Sequence, residues 1–222
     1  MKAKVLLSWS SGKDCAWTLY LLRQRDDLEV VGLVTTYNEA LGRVAMHGVR
    51  MELVEAQATA AALPLWKIPL PWPCSNEAYE FRMAAVIDQA RSSGIKCFAF
   101  GDLFLSEIRA YRERQLFGSG IEPMFPIWGS ESDTSVLARQ MINAGVRARL
   151  TCVDPKQLAP RFVGREFDQS LLLDLPSTVD PCGERGEFHT FCYSGPMFQH
   201  PIQTTTGELE ERDGFWFAEL VV

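Results

Sequence analysis

The first 150 residues alternate between short apolar runs and longer segments with helical spacing, and this alternation constrains the fold more than any other feature. The apolar, β-prone runs lie at 4–8, 29–37, 65–70, 96–100, 124–128 and 146–153. The segments with helical spacing lie at 15–25, 49–63, 77–91, 106–117 and 133–144. Strands that alternate with helices form crossover units, so the pattern predicts an α/β fold with a parallel sheet flanked by helices.

The pattern changes after about residue 150. A helix is predicted over 165–174 and a loop over 175–194, because the second of these segments contains two prolines and two glycines. Residues 201–222 are predicted to form a β-hairpin, since Asp213-Gly214 is a strong turn signal between two β-prone runs. We therefore expect a larger domain over 1–150 and a small C-terminal α+β domain over 151–222.

Composition and charge exclude several classes of protein. Hydrophobic residues make up 47% and charged residues 23%, which are globular values and exclude a disordered chain. Apolar runs such as 30–34 and 171–173 are far shorter than the roughly 20 residues of a membrane helix. The run at 5–7 is too short for the core of a signal peptide. These short runs lead us to expect a cytoplasmic protein with no membrane partner. A net charge of -6 argues against a broad basic surface for nucleic acid, with a local basic patch as the alternative.

The six cysteines contain no C-x-x-C pair. This spacing argues against a structural zinc site and against an iron–sulfur cluster. Free, buried thiols are therefore expected.

A small polar loop joins the first predicted strand to the first predicted helix. It reads Ser8-Trp9-Ser10-Ser11-Gly12-Lys13-Asp14. A helix N-terminus presents free N–H groups and about half a positive charge, and small residues allow an anion to come close. Lys13 adds a full charge, and Asp14 is a candidate magnesium ligand. The loop lacks the glycine and the Ser/Thr of a Walker A motif, and a polar turn that binds no ligand is the alternative.

A second polar segment lies in the C-terminal part, where residues 183–190 read Gly-Glu-Arg-Gly-Glu-Phe-His-Thr. Two carboxylates, one imidazole and flexible glycines can orient an amine or accept a proton. A well-hydrogen-bonded structural turn is the alternative interpretation.

Both polar segments resemble known signatures. Residues 10–15 resemble the S-G-G-x-D-S motif of the N-type ATP pyrophosphatases, with Ser11 in place of the first glycine and Cys15 in place of the final serine. Residues 183–190 closely resemble the G-E-x-G-E-[FY]-H-T segment of the diphthine–ammonia ligase family. Three further segments agree with that family: Ala45-Met46-His47, Gly101-Asp102 and Pro126-Ile127-Trp128. Ser11 is expected to reduce the close approach of a phosphate if its position needs a positive φ angle.

The resemblance implies a HUP-like parallel sheet and an ATP-dependent amidation. A carboxylate would attack the α-phosphate, pyrophosphate would leave, and ammonia would displace AMP. The implied ligands are ATP, magnesium and ammonia. The implied acceptor is diphthine on elongation factor 2 if the chain is archaeal or eukaryotic, and another protein or small-molecule carboxylate if it is bacterial. The sequence leaves open whether the protein forms a homodimer.

Parallel sheets bind ligands at the carboxyl ends of their strands, so residues 8–14, residues 35–37 and Gly101-Asp102 are expected to share one rim. The resemblance and this rim together give the candidate site. The residues expected to bind ATP are Ser8, Trp9, Ser10, Ser11, Gly12, Lys13, Asp14, Cys15, Thr35, His47, Gly101 and Asp102. The residues expected to act in catalysis are Lys13, Glu184, Glu187 and His189, and the magnesium ligand is Asp14. Arg109 and Arg112 share a helical face and are candidates for an anion, with a solvated face as the alternative. Strand-end packing is the alternative for Thr35, and a solvated loop position is the alternative for His47.

Three other functions are alternatives, and the sequence argues against the first two. A PP-loop enzyme acting on RNA, such as a tRNA thiolase, would need paired cysteines for sulfur transfer. A glutamine-dependent synthetase would need an amidotransferase domain, for which 222 residues leave no room. A nucleotide-binding sensor without turnover is compatible with the departures at Ser11 and Cys15.

Overall fold

The computed structural model describes residues 2–44 and 47–221. Its helices are α1 (Lys13–Arg23), α2 (Met51–Ala60), α3 (Asn76–Ser92), α4 (Ser106–Leu116), α5 (Thr134–Asn143) and α6 (Gln169–Asp174). The strands of the N-terminal part are β1 (Ala3–Ser8), β2 (Leu28–Asn38), β3 (Arg43–Val44), β4 (Leu65–Leu70), β5 (Cys97–Ala99) and β6 (Glu122–Met124). Those of the C-terminal part are β7 (Arg147–Val153), β8 (Phe188–Ser194), β9 (Thr205–Arg212) and β10 (Phe215–Val221). The predicted α/β alternation is confirmed.

The larger sheet is curled and mainly parallel. Its spatial order is β3-β2-β1-β5-β6, and β4 pairs with the second half of β2. β1 runs parallel to both β2 and β5, whereas the short β3 is antiparallel. Val5, Leu6 and Leu7 are completely buried in β1, as expected of a central strand that is covered on both faces. The parallel order brings the carboxyl ends of β1, β2 and β5 to one edge.

A separate antiparallel sheet has the order β8-β7-β10-β9. Its β9–β10 hairpin turns at Asp213 and Gly214, which both have positive φ angles, so the predicted hairpin is confirmed. Residue 150 lies inside β7, so the predicted division between residues 150 and 151 falls within one strand. The division into two domains stays a prediction.

The prediction of a loop over 175–194 is wrong in its second half, because residues 188–194 form β8. This strand pairs along β7, from Val153 opposite Phe188 to Arg147 opposite Ser194. The prolines and glycines that suggested a loop all precede residue 188. The β-prone run after them was therefore hidden by its neighbours.

Two other predicted elements differ from the structure in extent. The strand predicted at 124–128 lies at 122–124, and the Trp128 N–H instead closes a turn onto the Phe125 carbonyl. The helix predicted at 165–174 begins only at Gln169, where the Asp168 carboxylate caps it by accepting the Leu171 N–H at 2.8 Å. Residues 165–167 instead bond along β7, since the Phe167 N–H donates to the Ala148 carbonyl.

All six cysteines are free thiols, and Cys74 is the one that is partly exposed while the others are buried. The expectation of buried thiols is confirmed for those five. Among residues 2–44 and 47–221, no helix combines the length and apolarity that a membrane crossing requires.

Gln57 of α2 joins the two sheets through a completely buried amide. Its Oε1 accepts the Trp9 indole N–H at 2.8 Å, and its Nε2 donates to the Ser11 carbonyl at 3.0 Å and the Cys192 carbonyl at 2.6 Å. The side chain thus fixes the loop after β1 against β8. A buried amide with every bond made stabilises one arrangement, because each alternative leaves a polar group unpaired.

We predict that Gln57→Leu lowers the free energy of unfolding by about 2–4 kcal/mol, because buried partners lose their hydrogen bonds. Urea denaturation followed by circular dichroism measures the change. Gln140→Leu, on the exposed face of α5, is the matched control and should shift stability by about 0.5 kcal/mol or less. Equal effects of the two variants would contradict the joining role of Gln57.

Candidate functional site

A cavity of about 490 Å³ opens at the carboxyl ends of β1, β2 and β5. One side is formed by the loop over residues 8–14, which we call the 8–14 loop, and the other by residues 182–184 and the start of β8. An apolar wall of Val34, Met83, Phe98 and Phe100 closes a third side. The predicted common rim of the 8–14 loop, the end of β2 and Gly101-Asp102 is confirmed.

Most of the sequence-predicted site residues meet in this cavity. Those that line it are Ser8, Trp9, Ser10, Lys13, Asp14, Cys15, His47, Gly101, Asp102, Glu184 and His189. Ser11, Gly12, Thr35 and Glu187 are not among the lining residues. Thr36 takes the place of the buried Thr35, because neighbouring side chains on a strand face opposite ways. Ala45 and Met46 lie outside the described residues.

Ser11 has a φ angle of 74°, in the left-handed region that favours glycine. The positive φ angle on which the expectation for Ser11 depended is therefore present, and the serine is strained by it. Its hydroxyl is completely buried and has no hydrogen-bond partner among the described residues. The Ser11 carbonyl compensates in part, because it accepts both the Gln57 amide and the Cys192 N–H.

β8 reaches across to the start of α1. Thr190 Oγ1 accepts the Lys13 backbone N–H at 3.1 Å, and the Cys192 N–H donates to the Ser11 carbonyl at 2.9 Å. A Cβ on Gly12 would lie 3.1 Å from His47 Cε1 and 3.4 Å from Thr190. These neighbours therefore pack so closely against the backbone that a side chain larger than that of glycine would crowd them. The anion-binding end of α1 is thus shaped by the C-terminal part of the chain.

The Lys13 side chain is buried between the two parts of the protein. Its Nζ lies 2.9 Å from Asp14 Oδ2 and 2.5 Å from the Cys182 carbonyl oxygen. The rings of Phe167 and Phe188 lie 5.2 and 5.4 Å away. Burial alone lowers the pKa of Lys13, but the adjacent Asp14 carboxylate and the other neighbours raise it overall, so the ammonium is retained.

Asp14 offers one carboxylate oxygen to a ligand. Oδ2 is bound to Lys13, whereas Oδ1 is buried and has no partner among the described residues. Burial raises the pKa of Asp14, and Lys13 opposes that shift. No cluster of three or more His, Cys, Asp or Glu that suits a metal ion occurs in the described part of the chain. Asp14 therefore fits a magnesium ion that takes its other ligands from phosphate and water.

The two glutamates of the 183–190 segment have different surroundings. Glu184 lines the cavity, and its Oε1 accepts the Leu103 N–H at 2.8 Å. Burial raises its pKa to about 8, assisted by the charges of Asp14 and Asp102. A carboxyl group with this pKa exchanges a proton near neutral pH, as a general acid or base must.

The Glu187 carboxylate accepts hydrogen bonds from the backbone of its own loop and does not line the cavity. Its Oε1 accepts the Asp180 N–H at 2.9 Å and its Oε2 accepts the Arg185 N–H at 3.0 Å, and the side chain is 1% exposed. The predicted contact of Glu187 with substrate is thus not supported by this geometry. Its carboxylate instead holds the turn that presents Glu184.

The rings of His47 and His189 pack against each other with centroids 4.6 Å apart. His47 Nδ1 lies 3.1 Å from the Thr190 carbonyl, which can only accept, so Nδ1 carries the proton and Nε2 is the free acceptor. Burial lowers the pKa of His47 to about 4 and that of His189 well below its ordinary value, and Lys13 adds to both shifts. Both imidazoles are neutral at pH 7.

Arg109 and Arg112 do not act together. Arg112 lines the cavity, with Nε 3.6 Å from Asp102 Oδ2 and its guanidinium over the Phe100 ring. Arg109 instead lies over the rings of Phe125 and Trp128, outside the cavity lining. The two arginines of the predicted helical face therefore differ, because Arg112 lies in the cavity and Arg109 packs against aromatic rings.

Several cavity residues carried no sequence signal. The apolar wall consists of residue types common in any core, and the Thr35-Thr36 pair does not reveal which hydroxyl faces the ligand. Gln57 sits in an ordinary helical pattern, so its contacts with the 8–14 loop emerge only in three dimensions.

The fold and site define an α/β protein with a cavity at the strand ends, the 8–14 loop on one side and the segment that contains Glu184 on the other. Two family models match it: the diphthamide synthase N-terminal domain over residues 1–122 and the diphthamide synthase C-terminal domain over 133–220. The chain therefore belongs to the diphthamide synthase family. A search of curated proteins gave no match. The matched domains support a ligase-type enzyme similar to the diphthine–ammonia ligases.

We predict that Ser11→Gly raises the free energy of unfolding by about 1 kcal/mol. The change removes the left-handed strain and a buried hydroxyl without a partner, and these gains exceed the chain entropy that glycine costs. Thermal unfolding measures the difference. Ser135→Gly, in the ordinary helical backbone of α5, should have the opposite sign and cost about 0.5 kcal/mol. If Ser11→Gly instead lowered the free energy of unfolding, the interpretation that Ser11 is strained would be wrong.

Proposed function

We propose that the protein is an ATP-dependent ligase that forms an amide from a carboxylate and ammonia. The observation that carries the proposal is that the 8–14 loop and Glu184 line one cavity. The loop supplies α1 N–H groups and serine hydroxyls for phosphate, and Glu184 supplies a proton acceptor opposite them. The family match supports the same chemistry.

The proposed reaction has two steps. An acceptor carboxylate oxygen attacks the α-phosphorus of ATP, and the bond to the bridging oxygen breaks to release pyrophosphate. The ammonia nitrogen then attacks the acyl carbon of the adenylate, and AMP leaves with the acyl C–O electron pair. Glu184 takes the proton that the nitrogen loses as the amide forms.

Other residues of the cavity hold the reactants. Ser8, Ser10 and the N-terminus of α1 bind the phosphates, and the apolar wall receives the base. Asp14 would hold magnesium, which would supply Lewis-acid stabilisation of the phosphate charge. Arg112 is the remaining cation available for pyrophosphate or an anionic acceptor. Gln57 and Glu187 are positioning residues, since neither lines the cavity.

The proposed acceptor is diphthine on elongation factor 2 or a carboxylate of similar chemistry, and the proposed nitrogen source is free ammonia. A cytoplasmic location fits such an acceptor and remains part of the proposal.

We predict that wild-type protein binds Mg²⁺–ATP and that Asp14→Ala and Lys13→Ala weaken the Kd about ten- to hundredfold, because each removes a charge-assisted contact. Calorimetric titration measures the three constants, and thermal unfolding confirms that each variant is folded. Lys67→Ala, which removes a half-exposed lysine paired with Glu55, is the control. Wild type that binds no ATP would refute the proposed function.

We predict that Glu184→Gln reduces ammonium-dependent amide formation about hundredfold while changing the Kd for ATP by about threefold or less. The wild-type rate should rise as the pH increases through about 8, because the carboxylate accepts a proton only after it has lost its own. The variant should lose this rise. AMP release with diphthine-bearing elongation factor 2 as acceptor provides the readout.

Glu187→Gln is the matched comparison to Glu184→Gln. It should lower the unfolding temperature and impair ATP binding and turnover together, since it disturbs the turn rather than the chemistry. A selective loss of turnover in Glu187→Gln, with binding intact, would reverse the two assignments.

A nucleotide sensor without turnover is the competing function, and two observations favour it. Lys13 is held by Asp14 and the Cys182 carbonyl, and the 8–14 loop contains the strained Ser11. The two functions differ in their products, because a sensor releases neither AMP nor pyrophosphate in the presence of acceptor and ammonium.

A further inference from the structure

Few positive charges in the cavity are free to bind a polyphosphate. Its permanent cations are Lys13 and Arg112, and its carboxyl groups are Asp14, Asp102 and Glu184. The Lys13 ammonium is bound by Asp14 and by the Cys182 carbonyl. Arg112 faces Asp102. A nucleotide triphosphate therefore meets a lining whose cations are already opposed by carboxylates.

The two histidines are the remaining basic groups of the lining, and they lie against the phosphate-binding loop. His47 Cε1 is 3.1 Å from the position that a Gly12 Cβ would occupy. His189 is its ring neighbour at 4.6 Å, and His189 Nε2 has no hydrogen-bond partner among the described residues. Each ring therefore keeps a nitrogen that can take a proton and then donate to an anion.

Burial lowers the pKa of both rings most, and the charged surroundings add to this effect, so the rings are neutral before a ligand binds. Lys13 faces both from α1, each faces the other, and on the hairpin side Arg212 lies beside Gly48 with its guanidinium over the Phe217 ring. The carboxyl groups lie elsewhere on the same cavity lining. A phosphate chain in contact with the 8–14 loop would place several negative charges beside the rings and favour the imidazolium form.

We propose that the His47–His189 pair takes up a proton when a nucleotide triphosphate binds, and that the resulting imidazolium supplies phosphate-binding charge that the cavity otherwise lacks. The inference rests on the proposed function, because it assumes that ATP phosphates occupy the 8–14 loop. It makes the two histidines binding residues whose contribution depends on pH. Only one of the two rings is expected to be charged, since adjacent imidazolium ions repel each other.

Calorimetric titration with ATP and saturating Mg²⁺ at pH 7, in buffers of different ionisation enthalpy, tests the proposal. The slope of the observed enthalpy against the ionisation enthalpy gives the number of protons taken up. We expect between about one half and one proton for wild type. The Kd should rise about tenfold per pH unit where one full proton is taken up, so binding weakens as the pH increases.

The third histidine of the chain, the exposed His200, provides the matched control. His47→Asn and His189→Asn should each reduce the proton uptake and flatten the pH dependence of the Kd, whereas His200→Asn should change neither. Uptake that persists in both cavity variants would assign the proton to another group and overturn the inference. Binding without uptake in wild type would overturn the inference but leave the proposed function intact, whereas no binding would overturn both.

Histidine NMR signals give a second test that needs no variant to fold. The chain has three histidines, so three Cε1–H signals are expected. Without nucleotide, the two cavity signals should lie at the neutral position at pH 7, because burial lowers the pKa of both His47 and His189. Saturation with Mg²⁺–ATP should shift one of these two to the imidazolium position at pH 7. Two unchanged signals in the saturated complex would overturn the inference.

Discussion

The rest of the structure depends on the hydrogen-bonded join between β8 and the 8–14 loop. The Cys192 N–H donates to the Ser11 carbonyl, Thr190 accepts the Lys13 N–H, and the Gln57 amide binds both segments. These bonds are buried, where an unpaired partner is most costly. They allow Ser11 to remain in a conformation that serine disfavours. Cavity shape, loop conformation and the position of Lys13 all follow from this join.

Local patterns predicted most of the larger sheet correctly. Apolar runs between helical segments identified β1, β2 and β5, and helical spacing identified α3. The same reasoning placed the 8–14 loop and Asp102 on one rim, because parallel strands carry their carboxyl ends together. The sequence also identified Ser11 as a position where a positive φ angle would matter, because the resembled motif has glycine there, and the structure shows that angle.

The features that sequence patterns did not reveal are those created by contacts between distant segments. β8 was hidden behind a proline- and glycine-rich stretch, and its pairing with β7 is set by tertiary structure. Glu184 and Glu187 have the same side chain and lie three residues apart, yet one enters the cavity and the other binds its own backbone. Only the fold of the acidic turn separates them, and no spacing rule predicts which one faces the ligand.

The crossing of β8 onto α1 also makes the two parts of the chain depend on each other. Thr190 and Cys192, which bond to the 8–14 loop, belong to the segment matched by the C-terminal family model, whereas Gln57 lies in the segment matched by the N-terminal one. A chimera that joins the first part of one relative to the second part of another would have to preserve these buried hydrogen bonds. Where they did not match, the Ser11 carbonyl and the Gln57 amide would lose buried partners and the chimera would lose stability. Neither part of the chain can therefore be exchanged without regard to the contacts it makes with the other.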